Sequence, residues 1–305
     1  MTDFAPINKR AGVRPQWLKI RVPGDLNQLP IAKLMNDLAL NTVCQEARCP
    51  NIFECWAAGT ATFMVLGEIC TRRCTFCAVS RGTPTPVDHD EPRRVAEAVE
   101  RMGVRHAVIT MVNRDDMPDG GAEHIAQTVL AVRERTGAAV EVLISDLEGD
   151  RHALQIVLDS NPEVVAHNVE TVPRLYPQVR PVAKYKRSLT LLQWAHDAGA
   201  LTKSSLMLGL GETDDEIMDV ARDLRAAGVG IFTIGQYLAP TERNHPVRRY
   251  YTPEEFDDLG RRALQLGFQH VESAPLVRSS YMAHRALESN PNHAARHIRG
   301  SGESG

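Results

Sequence analysis

The sequence predicts an α/β fold, a partial (β/α)6 TIM-type barrel, and two observations support it. Six short apolar runs rich in Val, Ile, Leu and Thr are typical of buried strands, at 61–67, 106–112, 139–145, 163–169, 201–209 and 231–238. Segments of helical period separate these runs, at 91–103, 121–137, 150–160, 188–199 and 214–228. Six βα units fall short of the eight that close a barrel, so we expect an open one.

The remaining elements lie on either side of this alternation. A polar N-terminal stretch predicts a flexible arm, and residues 31–40 have the apolar spacing of a short amphipathic helix. After the sixth strand, residues 252–267 predict one more helix, followed by a short apolar turn at 268–271 and a disordered tail from about residue 289. We divide the chain into an N-terminal extension (1–60), a barrel (61–272) and a C-terminal closing segment (273–305).

Composition and charge restrict the classes of partner. With 43% hydrophobic residues, this 305-residue chain can bury a substantial core, and its net charge of -3 gives no global attraction to nucleic acid. No stretch approaches the roughly 20 apolar residues that span a bilayer, and the N-terminus lacks a signal-peptide core. We therefore expect a cytoplasmic protein without nucleic-acid or membrane partners. We also expect a monomer, because no coiled-coil pattern is visible.

All six cysteines fall into two groups of three. The first group has the spacing C-x4-C-x5-C at Cys44, Cys49 and Cys55, and the second has C-x3-C-x2-C at Cys70, Cys74 and Cys77. Disulfide frameworks belong to small secreted domains, so reduced metal ligands are the better interpretation. Zinc sites normally use four ligands in paired C-x2-C units. Three thiolates suit a [4Fe–4S] cluster that keeps one iron open.

The second group directly follows the first predicted strand, where such a barrel places its chemistry. With Phe76 before the third cysteine, it resembles the radical S-adenosylmethionine superfamily. The resemblance implies that these cysteines hold a cluster whose open iron binds S-adenosylmethionine. Reductive cleavage of the sulfonium then yields a 5′-deoxyadenosyl radical that abstracts hydrogen from an unactivated carbon. A zinc site or a purely structural cluster is the alternative.

The same resemblance implies cofactor-binding positions at the ends of later strands: Gly120, Gly121, Asn168, Glu170, Gly209 and Gly211. Gly120 and Gly121 match a glycine-rich loop of the superfamily. Asn168 and Glu170 are placed for the ribose of the cofactor or for the substrate. The second glycine pair lies in LMLGLGE, which departs from the superfamily motif because Leu206 replaces its first glycine. Either glycine pair could instead serve a tight turn that leads into a helix.

The first cysteine group, with RPQWLK before it and VRSSYMAH near the end, resembles the lipoyl synthase family from Arg14 to His284. The resemblance implies an auxiliary [4Fe–4S] cluster whose fourth ligand is a serine of the R-S-S-Y motif. We favour Ser280 over Ser279 as this ligand, although nothing in the sequence separates them. We also expect Arg278, the first residue of the motif, to be catalytic. An alkoxide suits iron less well than thiolate does, which fits a cluster that is consumed as the sulfur source. Taken alone, RSSY would predict an ordinary helix start.

The implied reaction inserts two sulfur atoms at C6 and C8 of an octanoyl chain on a lysine of a lipoyl carrier domain. The carrier would be a 2-oxoacid dehydrogenase E2 or a glycine cleavage H protein. An electron donor such as flavodoxin or ferredoxin and an iron–sulfur carrier for cluster rebuilding are the other expected partners. The alternatives are a methylthiotransferase, which needs flanking domains that this chain lacks room for, and a non-catalytic iron–sulfur protein.

Basic residues form two clusters along the sequence. Each is either a solvated face or a docking surface for an acidic carrier domain. The members are Arg174, Arg180, Lys184, Lys186 and Arg187 in the first cluster, and Arg243, Arg248 and Arg249 in the second.

Overall fold

The computed structural model describes residues 13–19, 28–42, 51, 55 and 60–281. In chain order the strands are β1 (Asn41–Thr42), β2 (Thr60–Val65), β3 (Ile69–Cys70), β4 (Ser80–Arg81), β5 (His106–Met111), β6 (Ala139–Leu143), β7 (Val164–Ala166), β8 (Thr202–Leu208), β9 (Ile231–Gln236) and β10 (His270–Ala274). Eight of them form one sheet, in the order β1-β2-β5-β6-β7-β8-β9-β10, and β3 pairs with β4.

The sheet is an open, parallel barrel wall. Strands β2 and β5 to β10 run parallel, while β1 pairs antiparallel with β2 at the edge. Among the described residues, β1 and β10 each have one neighbour, so the wall does not close. Every residue of β2 and β9 is buried, as expected for a parallel sheet that is covered on both faces. The predicted partial barrel is confirmed, and all six predicted strands are present.

The structure adds a seventh parallel strand that the sequence did not predict. Strand β10 pairs with β9 along its whole length, where we expected a short apolar turn. All five of its residues are half-buried and they include Glu272 and Ser273, so no continuous apolar run marks them. The predicted boundary at residue 272 falls inside this strand. The predicted tail lies outside the described residues.

Eight α-helices are described: α1 (Gln28–Asp37), α2 (Glu91–Met102), α3 (Ala122–Thr136), α4 (Arg151–Asp159), α5 (Tyr176–Val179), α6 (Tyr185–Asp197), α7 (Asp214–Ala226) and α8 (Pro253–Gln265). Helices α7 and α8 begin with capping boxes, in which Thr213 and Thr252 exchange hydrogen bonds with the glutamates three residues later. Helix α2 ends at Gly103 in the left-handed conformation, with a φ of 61°. No helix of the described residues is long and apolar enough to cross a membrane.

Candidate functional site

The loop from Cys70 to Cys77 leaves β3 and lies against the carboxyl end of β5. The backbone N–H and the hydroxyl of Thr71 both donate to the carbonyl of Asn113, at 3.1 and 3.0 Å. That hydroxyl also contacts a carboxylate oxygen of Asp115 at 3.0 Å. The first turn of the loop is therefore fastened to the end of a buried strand.

Arg72 fixes the same turn through buried charge. Its Nη2 lies 2.7 Å from Asp115 Oδ1 and 2.7 Å from Asp146 Oδ1, and the residue is 4% exposed. Asp146 is fully buried and also faces Arg187 Nη1 at 3.3 Å. Burial alone would raise the pKa of Asp146, but the hydrogen bond and charge of Arg72 hold it below its usual value. The loop thus shares an ion-pair network with the segment that follows β6.

The second half of the loop is held by segments that follow β7 and β9. The N–H of Thr75 donates to the carbonyl of Val179 at 2.9 Å, and the N–H of His245 donates to the carbonyl of Thr75 at 2.8 Å. The side-chain amide of Asn244 donates to the carbonyls of Thr75 and Cys77, at 3.1 and 2.9 Å. Residues from several parallel strand ends therefore set the shape of this loop.

The thiols of the loop suit a multi-iron cluster. All three are free, and backbone N–H groups donate to the Sγ atoms of Cys70 and Cys77 at 3.4 Å each. Burial raises the pKa of Cys77 to about 11, and neighbouring Cys74 and Cys70 add to the rise. Among the described residues no three His, Cys, Asp or Glu side chains converge on one metal ion. A [4Fe–4S] cluster does not need such convergence, because each thiolate binds a different iron.

Asn168 and Glu170, which the sequence analysis assigned to the cofactor or the substrate, lie beside this loop. The amide of Asn168 donates to Glu170 Oε1 at 3.0 Å, and the negative charge of Glu170 raises the pKa values of Cys74 and Cys77 in addition to the larger effect of burial. Glu170 has a φ of 66° and forms an isolated parallel bridge with Leu206, so its backbone is fixed between strands. The Oδ1 atom of Asn168 is buried without a hydrogen-bond partner among the described residues. It can therefore accept a hydrogen bond from a ligand.

The two glycine pairs form closed turns. The N–H groups of Gly209 and Gly211 donate to the carboxylate of Glu212, and their carbonyls accept from Arg248 N and Arg174 Nη2. Gly209 has a φ of 100°, and a Cβ there would lie 2.5 Å from a backbone carbonyl. With both backbone groups bonded inside the protein, these glycines favour the turn interpretation over cofactor contact.

The first glycine pair behaves in the same way. The N–H of Gly121 donates to Asp119 Oδ1 at 3.0 Å, and that of Gly120 donates to the carbonyl of Met117 at 3.1 Å. Gly121 has a φ of 91°, and a Cβ there would lie 2.4 Å from the side chain of Leu66. The pair makes the turn into α3.

The first cysteine group is described in part. Cys44 and Cys49 lie outside the described residues, whereas Cys55 is described and its side chain is buried. The N–H of Cys55 donates to the carbonyl of Asn51 at 2.9 Å. The side-chain amide of Asn51 in turn donates to the carbonyl of Leu276 at 2.6 Å. This bond joins the first cysteine group to the segment that leads into R-S-S-Y.

The R-S-S-Y segment crosses the end of β9 in consecutive turns. The N–H of Tyr281 donates to the carbonyl of Arg278 at 2.9 Å, and Ser279 and Ser280 are half-buried in this turn. A Cβ at Gly235 of β9 would lie 2.1 Å from the carbonyl of Val277, so the glycine permits the close approach. The serines therefore lie at the same end of the sheet as the second cysteine group.

The basic clusters do not form one solvated face. The prediction is wrong for Arg180, which is 9% exposed and donates to the carbonyl of Asn168 at 2.7 Å. Arg174 is paired with Glu216 at 2.8 Å, and Arg249 is paired with Glu255. The sequence also gave no role to Arg72 or Asn51. Their positions inside or beside the cysteine motifs were the available signal.

Comparisons with known proteins give the family. The sequence profile of the Radical SAM superfamily matches residues 64–224. Curated relatives include the lipoyl synthase of Rubrobacter xylanophilus, 56% identical and covering 94% of this chain and 91% of that protein. The lipoyl synthase of Koribacter versatilis is 51% identical, covering 94% of this chain and 95% of its own length.

Solved structures share the fold at low sequence identity. Streptococcus suis SuiB, in complex with its precursor peptide SuiA, has a TM-score of 0.56 and 11% identity, covering 82% of this chain and 54% of that one. HydG, a maturase of the [FeFe]-hydrogenase, has a TM-score of 0.55 and 14% identity, covering 75% and 62%. These two structures support the barrel, and the curated relatives confirm both sequence resemblances. The chain therefore belongs to the lipoyl synthase family of the Radical SAM superfamily.

Proposed function

We propose that this chain inserts two sulfur atoms, at C6 and C8, into an octanoyl chain carried on a lysine of a lipoyl carrier domain. The observation that carries the proposal is the bond from Asn51 to the carbonyl of Leu276, 2.6 Å long. It brings Asn51, which lies between the second and third cysteines of the first group in sequence, next to the segment that leads into R-S-S-Y. That segment lies at the end of the barrel that holds the second group. A radical site and a sulfur-donor site can then serve one substrate.

In this proposal the second cysteine group, Cys70, Cys74 and Cys77, ligates three irons of a [4Fe–4S] cluster. When bound, the cluster and S-adenosylmethionine supply the radical chemistry that breaks an unactivated C–H bond, which acid and base side chains cannot do. Asn168 offers a buried acceptor and Glu170 a carboxylate beside the loop, so we assign both to polar groups of the cofactor. The loop anchors hold the thiols in place.

The auxiliary cluster is assigned to the two ends of the chain. Cys55, with Cys44 and Cys49, supplies three thiolates, and a serine of R-S-S-Y supplies the fourth ligand. We propose Ser280, with Ser279 as the alternative and Arg278 as a neighbouring catalytic group. The extension up to residue 60 and the segment from residue 273 then hold one cluster, and the barrel between them holds the other.

The partners follow from this reaction. We propose octanoylated E2 domains or the glycine cleavage H protein as substrates, flavodoxin or ferredoxin as the electron donor, and an iron–sulfur carrier that rebuilds the spent cluster. Arg248 and Arg249 are half-exposed and lie in the loop that follows β9. We propose that the carrier domain docks on this loop.

The test is an anaerobic assay with the reconstituted protein, S-adenosylmethionine, a strong reductant and an octanoylated carrier domain. We expect 5′-deoxyadenosine and a carrier whose mass rises by two sulfur atoms. Cleavage without sulfur on the carrier would contradict the lipoyl assignment. Absence of cleavage would contradict the radical assignment as well.

A matched pair of variants tests the fourth ligand. Ser280→Ala is expected to lose sulfur insertion and to lower the iron bound per chain, while it retains cofactor cleavage. Ser279→Ala, one residue away in the same turn, serves as the control. The opposite result would assign the ligand to Ser279, and no effect from either variant would remove R-S-S-Y from the cluster.

A further inference from the structure

Arg180 is a buried arginine whose charge interacts with Tyr176, Glu170 and Cys74. It is 9% exposed, and among the described residues no carboxylate lies within salt-bridge distance of it. Its Nη1 donates to the carbonyls of Asn168 and Val169, at 2.7 and 3.2 Å, and its guanidinium lies 5.6 Å from the ring centroid of Tyr176. Its Nε is buried and has no hydrogen-bond partner within the described part of the chain. Burial opposes this charge, but Tyr176, Glu170 and Cys74 together outweigh that effect and raise the pKa of Arg180.

The second cysteine group lies directly beside this guanidinium. Thr75 follows Cys74 and its N–H donates to the carbonyl of Val179, which precedes Arg180, at 2.9 Å. Burial raises the pKa of Cys74, and the charge and hydrogen bonding of Arg180 oppose that rise. The two side chains are therefore electrostatic neighbours across one backbone hydrogen bond.

The other two cysteines have different donors. Cys70 Sγ accepts from the backbone of Arg72 at 3.4 Å and from the side-chain amide of Asn113 at 3.7 Å. Cys77 Sγ accepts from the backbone N–H of Val79 at 3.4 Å. These donors are neutral groups. The neighbour of Cys74 is the one in this set that carries a full positive charge.

We propose that Arg180 is the cationic partner of the cluster held by the second cysteine group, facing Cys74 and raising the reduction potential of that cluster. The inference rests on the proposed ligand assignment. A [4Fe–4S]²⁺ core with three thiolates carries a net charge of about -1, and reduction adds another negative charge. A fixed positive charge stabilises the reduced form more than the oxidised form, because it interacts with the larger negative charge.

The test is a redox titration of the reconstituted full-length protein, followed by electron paramagnetic resonance. The signal that changes on addition of S-adenosylmethionine reports the cluster with an open iron. Arg180→Gln is expected to shift the reduction equilibrium at least tenfold toward the oxidised form, which is about 59 mV for a one-electron couple. Arg180→Lys is expected to stay close to wild type because it keeps the charge.

Arg174→Gln is the matched control, since Arg174 lies on the same segment but is half-exposed and paired with Glu216. Its potential is expected to equal that of wild type. An unchanged potential in Arg180→Gln overturns the inference. If Arg180→Gln does not retain its cluster, Arg180→Lys decides: retention with a wild-type potential supports the charge, and loss in both variants overturns it.

Failure of the inference and failure of the proposed function give different results. If the wild-type protein shows no signal that responds to S-adenosylmethionine, the ligand assignment itself fails. If the wild-type signal responds and Arg180→Gln titrates like wild type, the ligand assignment stands and only the role of Arg180 is lost.

Discussion

The two cysteine groups are held by differently constructed surroundings. The second group lies in a loop that is bonded to residues after β5, β7 and β9, and an ion-pair network centred on Arg72 fixes its first turn. The described part of the first group is joined to the C-terminal segment by the amide of Asn51. The second group belongs to the barrel, whereas the described part of the first group lies where two distant parts of the chain meet.

This difference matches the two proposed tasks. A cluster that has to survive every turnover gains from a loop whose backbone is fixed at several points. A cluster that is spent and rebuilt gains from ligands on segments that can separate without unfolding the sheet. Rigidity and replaceability are therefore assigned to different regions of one molecule.

The largest expected effect comes from substituting one cysteine of each group. Cys70→Ala is expected to abolish both cofactor cleavage and sulfur insertion, because the cluster proposed for the second group would lose a ligand. Cys55→Ala is expected to abolish sulfur insertion while most of the cleavage remains. Chromatography of 5′-deoxyadenosine and mass spectrometry of the carrier measure the two activities, and equal loss of cleavage in both variants would contradict the division.

The next largest effect concerns the ion-pair network of Arg72, which fixes the first turn of the loop that holds the second group. Arg72→Met leaves the fully buried Asp146 without its closest cationic partner, so we expect a loss of about 3–5 kcal/mol in the free energy of unfolding. Urea unfolding of the metal-free protein measures it. Arg93→Met is the control, because the ion pair of Arg93 with Asp90 is solvent-exposed and such pairs contribute little to stability. A similar loss in both variants would count against the network.

The stability of the barrel should also depend on pH, through one buried histidine. Burial lowers the pKa of His167 to about 4, and its ring nitrogens contact the carbonyl of Ile144 and the hydroxyl of Ser188 at 2.9 and 2.8 Å. The unfolded chain binds a proton near pH 6.5 and the folded chain does not, so stability falls as the pH decreases from about 7 toward 4.

The magnitude can be isolated by comparing His167→Gln with wild type. Between pH 7.5 and pH 5 this histidine is expected to remove about 2 kcal/mol from the free energy of unfolding, and the variant should lack that part of the pH dependence. Urea titrations at the two pH values measure it. Identical pH dependence in the two proteins would show that His167 does not carry the effect.

The smallest stability effect gives the sharpest functional contrast. Asn51→Ala removes one hydrogen bond and is expected to cost about 1 kcal/mol, with sulfur insertion reduced and cofactor cleavage retained. Asn244→Ala removes the bonds to Thr75 and Cys77 and is expected to reduce cleavage itself. Activity assays on both variants test the contrast, and the same activity profile in each would remove it.

The sequence predicted the barrel because parallel strands buried on both faces leave continuous apolar runs. It missed β10, whose half-buried residues include charged and polar side chains. The spacing of Cys70, Cys74 and Cys77 could be recognised in the sequence because all three cysteines lie in one loop. By contrast, no local sequence pattern indicates the hydrogen bond between Asn51 and Leu276. The sequence around a charged residue such as Arg180 does not show whether the fold buries it.

The contact between Asn51 and Leu276 also has a consequence for how the protein is made. Chains fold from the N-terminus as they are synthesised, and strands such as β2, β5 and β6 pair with near neighbours in sequence. The partner of Asn51 lies 225 residues further along the chain. The site proposed for the auxiliary cluster can therefore be completed only after Leu276 has been synthesised, well after the first strands of the barrel are available for pairing.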